Sequence, residues 1–199
     1  MEHFGAIAFG PSSQEHQRRR GSYEGYRSMI AGPAADGLGS FEVDFLAARD
    51  SIYLSSVGEA GWPYVQHRGG PAGFIRVIDP THIAWAERAG NKQYVTAGNL
   101  DHDDRVAIIA VDYPSRMRIK LLGHARFDPD PDLALLERLG IDGRVEGLVT
   151  VEVVAFDWNC PKYITPRFTA DEIREATRPL TERIAQLEAE LATLQAATR

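Results

Sequence analysis

Across residues 51–156 polar and apolar positions alternate in short runs bounded by turn residues. Ser51–Val57 is β-branched and aromatic, and Gly58-Glu59-Ala60-Gly61 leads from it into residues 62–68, which predicts a β-hairpin. Residues 74–79 and 82–87 form two further runs split by Asp79-Pro80-Thr81. Residues 106–112 and 117–127 flank Tyr113-Pro114-Ser115, and residues 147–156 add a last long alternating run. Helical spacing is confined to the margins: residues 40–47, with Phe41, Phe45 and Leu46 apolar, a start near Gln93, and residues 131–140 closed by glycine. Six or seven strands joined mainly by tight turns predict a mainly β chain built as an antiparallel barrel, not a βαβ sheet.

The flanks differ in kind. Residues 1–40 form an N-terminal arm with one helix turn, polar at residues 14–20 and rich in Gly and Pro toward its end. From Thr169 the chain predicts a C-terminal helix whose Leu180, Ile184, Leu187, Leu191 and Leu194 recur at the intervals of a coiled-coil seam over about two heptads. The organisation is therefore an arm at 1–40, a barrel domain at 41–168 and a helix at 169–199. A seam this short is marginal alone, so the helix is expected to pack on its own barrel or on a partner subunit. A structural interaction protein built around that helix is one functional reading.

Composition narrows the choice. The net charge is −6 and no dense basic stripe interrupts it, which disfavours nucleic acid as a partner. No apolar run approaches the roughly 20 residues that span a bilayer, and the N-terminus lacks a signal-peptide arrangement; the expectation is a cytoplasmic protein without a membrane partner. A single cysteine, Cys160, excludes an intrachain disulfide and a cysteine-based zinc cluster. Asp101-His102-Asp103-Asp104 has metal-binding composition, but successive loop residues diverge, and the reading is a solvated helix end with no metal. Gly-x-Ser-x-Gly, P-loop and Gly-x-Gly-x-x-Gly signatures are missing from the sequence.

The candidate chemistry lies at the end of the first hairpin. Gln66, Arg68 and Tyr64 share one strand face and His67 the other, Gly69-Gly70 follows, and Gly90-Asn91-Lys92-Gln93 delivers a lysine to a helix start. Backbone amides at the glycines and the helix start, with Arg68 and Lys92, make a phosphate cradle; the plain alternative is a hairpin with solvated basic residues. Trp85 either lines a ligand or packs in the core, and His67 is either a packed histidine or a catalytic one.

The ordered set Pro63…Gln66-His67-Arg68-Gly69-Gly70, Ile83-Ala84-Trp85-Ala86, Gly90-Asn91-Lys92-Gln93 and Arg116-Met117-Arg118-Ile119-Lys120…Gly123 resembles the pyridoxamine 5′-phosphate oxidase-like family of FMN-binding split β-barrels. The resemblance covers about residues 41–167, and Asn159-Cys160-Pro161-Lys162-Tyr163-Ile164 is similar to a branch carrying an Asn-Cys-Pro segment. It implies a split barrel, FMN as cofactor, and a homodimer with two flavin sites at the subunit interface. It also implies a flavin-dependent oxidoreductase acting on a small molecule, with a nicotinamide electron donor as one candidate partner. A non-catalytic flavin- or deazaflavin-binding protein is the alternative within the same family.

Carried over by position, the family's phosphate-binding arginine falls at Gln66, and Arg68 on the same face would replace it. Ala84, Trp85 and Ala86 would present backbone to the ring, and Asn91, Lys92 and Gln93 stand for the phosphate loop. Arg116 or Arg118 would stabilise the anionic reduced flavin, Arg118 from the second subunit. Asn159 and Cys160 would lie near the cofactor, Cys160 being dispensable for binding. The run that grips pyridoxal phosphate in the true oxidase has no counterpart after Phe156, so pyridoxamine phosphate is not the expected substrate.

Overall fold

A computed structural model describes residues 1–158 and 161–197. The chain divides into one unit of Met1–Asp112 with Met117–Pro161 and a second of Tyr113–Arg116 with Lys162–Arg199. In the first, helices α1 (Phe4–Ala8), α2 (Pro11–Arg20), α3 (Tyr23–Tyr26), α4 (Ser28–Ala31) and α5 (Ser40–Ala47) precede strands β1 (Ser51–Val57), β2 (Pro63–Gly69), β3 (Arg76–Asp79) and β4 (His82–Glu87). There follow α6 (Val95–His102), β5 (Arg105–Asp112), β6 (Met117–Asp128), α7 (Leu133–Arg138) and β7 (Gly147–Trp158). The second unit holds α8 (Ala170–Ala197).

The seven strands form one antiparallel sheet in the order β2-β1-β5-β6-β7-β4-β3. It does not close on itself, as expected of a split barrel. Period-two burial builds its core: Ile52 and Leu54 on β1, Val106, Ile108 and Ala110 on β5, Ile119 and Leu121 on β6, and Val149, Val151 and Val153 on β7 meet Ile83 and Trp85 of β4. Opposite-facing Ala84 and Leu148 pack with Leu136 and Ile141 in a smaller cluster under α7. The register shift at Leu122/Gly123 leaves Val154 of β7 as an extra, unpaired residue opposite β6, and only glycine fits at 123, since a Cβ on Gly123 would lie 2.3 Å from the Glu152 carbonyl oxygen.

The arm holds more helix than its composition suggested. Gly10-Pro11 opens α2 with proline at the first turn, Gly21 at φ +74° closes it, Arg19 pairs with Glu15 one turn back, and arginines fill the last turn. Helical residues (37%) thus exceed strand residues (29%), although the sheet builds the core. The arm also covers its own apolar residue: Phe4 is buried under the Lys120 ammonium, 4.6 Å from the ring, and Glu2 N–H donates to Val154 O.

At the start of α5 the N-cap is Gly39, whose N–H donates to Glu42 Oε2 (3.0 Å), with Ser40 the first helical residue. Glu42 also accepts from Trp158 Nε1 at 2.8 Å, tying this helix to the end of β7. In the β3–β4 turn the Asp79 carboxyl is held down at about 2, chiefly by the Thr81 backbone N–H and then by the His82 side chain. Among the described residues, no helix is long and apolar enough to cross a membrane.

Candidate functional site

Cross-strand register fixes which β2 side chains face inward. Gln66 stands opposite Leu54 and Arg68 opposite Ile52, both core residues, so Gln66 and Arg68 point to the core side while His67 stands opposite Tyr53 on the other face. Inward side chains at the open end of the sheet border a cleft of about 470 Å³, within the range typical of small-molecule sites. Its walls come from β2, the loop after it, the end of β4, the loop of residues 88–94 and the first turn of α6, with Phe127 and Val149 contributed from β6 and β7.

Arg68 is the hub. Its Nε donates to Glu87 Oε1 at 2.6 Å and its Nη2 to Thr96 Oγ1 at 3.2 Å, so one half-buried guanidinium joins β2, β4 and α6. These bonds occupy two of its five donors. Glu87 Oε1 also accepts from Trp85 Nε1 at 3.1 Å, which sets the plane of the indole. Trp85 is both things the sequence left open: it is 1% exposed in the main core and it borders the cleft. Gln66 Oε1 accepts a hydrogen bond from the Tyr64 hydroxyl on the same face.

The lysine loop has a built shape. Asn91 Oδ1 accepts from the Gln93 N–H (3.1 Å) while Asn91 Nδ2 donates to Gln93 Oε1 (3.2 Å), an Asx-type turn that fastens the two side chains to each other around Lys92. Lys92 and Tyr94 both take left-handed backbone, φ +57° and φ +51°, and the helix starts at Val95, two residues later than expected. The Tyr94 hydroxyl donates to Glu146 Oε2 at 3.4 Å. The N-terminal turn of α6, whose first amide groups have no partner within the helix, borders the cleft beside exposed Lys92.

Of the residues singled out in the sequence, Gln66, His67, Arg68, Trp85, Ala86, Asn91, Lys92 and Gln93 line this one cleft. His67 contributes from the outward face, where its ring packs edge-on against Tyr53 with centroids 5.5 Å apart. Ala84, fully buried in the cluster under α7, is not among the residues that line the cleft. Of the two glycines expected to offer amides, Gly70 has none to spare, since its N–H donates to Asp50 O at 2.9 Å. Arg118 lies opposite Val111 on β6, outside the cleft lining, with its Nε buried and unpartnered among the described residues. Arg116, at φ +57°, belongs to the turn in the second unit, and Asn159 and Cys160 lie outside the described residues.

In the acidic run after α6, Asp103 pairs with Arg105, whose hydrogen bonds hold its carboxyl well below the usual carboxylate range, and Asp104 pairs with His124. The side chains go to different partners. Sequence reasoning missed Glu87 and Thr96, which hold Arg68, and Arg76 of β3, which also lines the cleft. The signal for Glu87 was available: it follows Trp85 by two on a strand and so shares its face.

A family model described as pyridoxamine 5′-phosphate oxidase matches residues 42–153, more than half of the chain. The chain belongs to this family. No curated protein sequence matches it. Among solved structures it is similar to a putative pyridoxamine 5′-phosphate oxidase from Lactobacillus delbrueckii, at 22% identity over 62% of this chain and 95% of that one, with a TM-score of 0.49. It is also similar to HupZ of Group A Streptococcus (14% identity, 66% and 100% covered, TM-score 0.49). A third is an FMN-binding protein from Syntrophomonas wolfei (12%, 58% and 81%, TM-score 0.43).

Proposed function

We propose that the cleft binds FMN and that the protein is an FMN-dependent oxidoreductase acting on a small molecule other than pyridoxamine phosphate. The observation that carries the reading is the convergence of the braced Arg68, Lys92 and the first turn of α6 on one small-molecule-sized cleft. Membership of the pyridoxamine 5′-phosphate oxidase family supports it.

The donor set fits the nucleotide. A phosphate needs charged donors and oriented amides, which Lys92, Arg68 and the start of α6 supply; an aromatic ring needs apolar walls, and Trp85, Phe127 and Val149 line the same space. Glu87 offsets much of the Arg68 charge, so the exposed Lys92 carries more of the attraction to an anion. Bound flavin would supply hydride chemistry, which leaves this chain to bind, orient and shield it. Arg68 is rigid because Glu87 and Thr96 hold it, and Trp85 is rigid because it is core.

In the same reading the active species is a homodimer, with Arg118 given across to the partner's cleft. Its half-buried guanidinium, outside its own cleft and with Nε unpartnered among the described residues, supports this.

Lys92→Ala tests the phosphate assignment. Lys92 is exposed, so the fold should be unaffected, while loss of one charge-assisted contact should weaken FMN roughly tenfold or more in a fluorescence titration. Unchanged FMN affinity in both Lys92→Ala and Arg68→Ala would remove the assignment.

A further inference from the structure

Helix α8 carries an apolar seam that the cleft does not explain. Along its continuous 28 residues, Ile173, Thr177, Leu180, Ile184, Leu187, Leu191 and Leu194 follow one another at alternating intervals of 4 and 3, one heptad longer than the leucines alone suggested. The six apolar members are 46–66% exposed, and no described residue of the helix is buried. Thr177 is compatible with an apolar seam because its hydroxyl donates to Ile173 O at 2.8 Å within the helix. Pro179 falls on the outer side of the repeat, two positions after Thr177, so it leaves the stripe intact.

We propose that α8 pairs with α8 of a second copy of this chain as a parallel two-stranded coiled coil. Thr177, Ile184 and Leu191 take the a positions and Ile173, Leu180, Leu187 and Leu194 the d positions; leucine throughout most of d with a β-branched residue at the central a is the pattern that favours two parallel strands.

Charge points to the same occupant. In a parallel pair each g residue faces the e residue five positions on in the partner helix, and the only charged pairing so formed is Arg183 with Glu188, made twice by the two-fold axis. The remaining g–e pairs, Ala176 with Thr181 and Glu190 with Gln195, contain no like charges. Among the described residues Arg183 reaches Gln186 (3.3 Å) and Glu190 (3.9 Å), both on exposed surface, where such contacts are weak and readily exchanged. An antiparallel pair would instead set Leu187 against Ile184 and Arg183 against Glu190.

The test uses the full chain in a Cys160→Ser background, without flavin, so it does not depend on the proposed cofactor. Leu187→Cys should form a disulfide-linked dimer on mild oxidation at submicromolar chain, because identical d residues meet across a parallel pair. Glu182→Cys, on the outer face, should not. Adding Arg183→Glu to Leu187→Cys should slow cross-linking roughly tenfold, as two attractive pairs become repulsive, and adding Glu188→Arg as well should restore it. Absence of the Leu187→Cys cross-link, cross-linking at Glu182→Cys to the same extent, or failure of the second reversal to restore the rate would overturn the proposal.

Discussion

Trp85→Ala is expected to lose about 3–5 kcal/mol of stability, the usual cost of emptying a fully buried aromatic site. The side chain is 1% exposed, packs in the main cluster with Ile83 and the β7 valines, and donates its indole N–H to Glu87. Truncation removes the packing and the bond together, and the neighbours that would have to collapse are strands fixed by sheet ladders on both sides of β4. Trp85→Phe separates the two terms: most of the volume returns, the indole bond does not, and the loss should fall to about 1–2 kcal/mol. Chemical denaturation of both variants checks this, and a loss under about 1 kcal/mol for Trp85→Ala would show that the indole is not the packing centre of the cleft wall.

Glu87 carries the second large effect, and its signature is a pair of opposite changes. Glu87→Ala leaves the Arg68 guanidinium without the carboxylate 2.6 Å away. Removing one partner of a fully buried pair costs about 3–5 kcal/mol, but both side chains keep about a fifth of their exposure, so solvent screening brings the expected loss to about 2–3 kcal/mol. Glu87→Gln keeps an oxygen acceptor for Arg68 and Trp85 and should lose about 1 kcal/mol. Because the carboxylate offsets the charge that Arg68 presents to an anion, Glu87→Gln should bind FMN several-fold more tightly even as it melts earlier. Thermal melts and FMN titration on the same preparation read both signs, and weaker FMN binding in Glu87→Gln would mean that the carboxylate itself serves the ligand.

Much of this architecture was legible in the sequence because period-two alternation and turn chemistry act locally. Ser51–Val57 and His82–Glu87 fall where the pattern placed them, and β2 and β7 end within two residues of expectation. The face assignment of Gln66 and Arg68 followed from alternation alone. What the sequence could not show was which partners the inward residues meet. The Arg68–Glu87 and Arg68–Thr96 contacts span 19 and 28 residues, and only sheet order and the return of α6 bring them together. The loss of the Gly70 amide has the same origin, since its acceptor, Asp50, is contributed by the residue ahead of β1. In the arm, small-residue content obscured helices whose ends are set by Pro11 and Gly21.

The central claim is that one cleft holds a flavin nucleotide by its phosphate, and comparing two ligands tests it most directly. Titration of the full-length protein with FMN and with riboflavin, which has the same ring and no phosphate, isolates the contribution of Arg68, Lys92 and the start of α6. FMN is expected to bind at one per chain and riboflavin roughly a hundredfold more weakly, the ratio that two charge-assisted contacts supply. Equal affinity for the two ligands, or no binding of FMN, would contradict it.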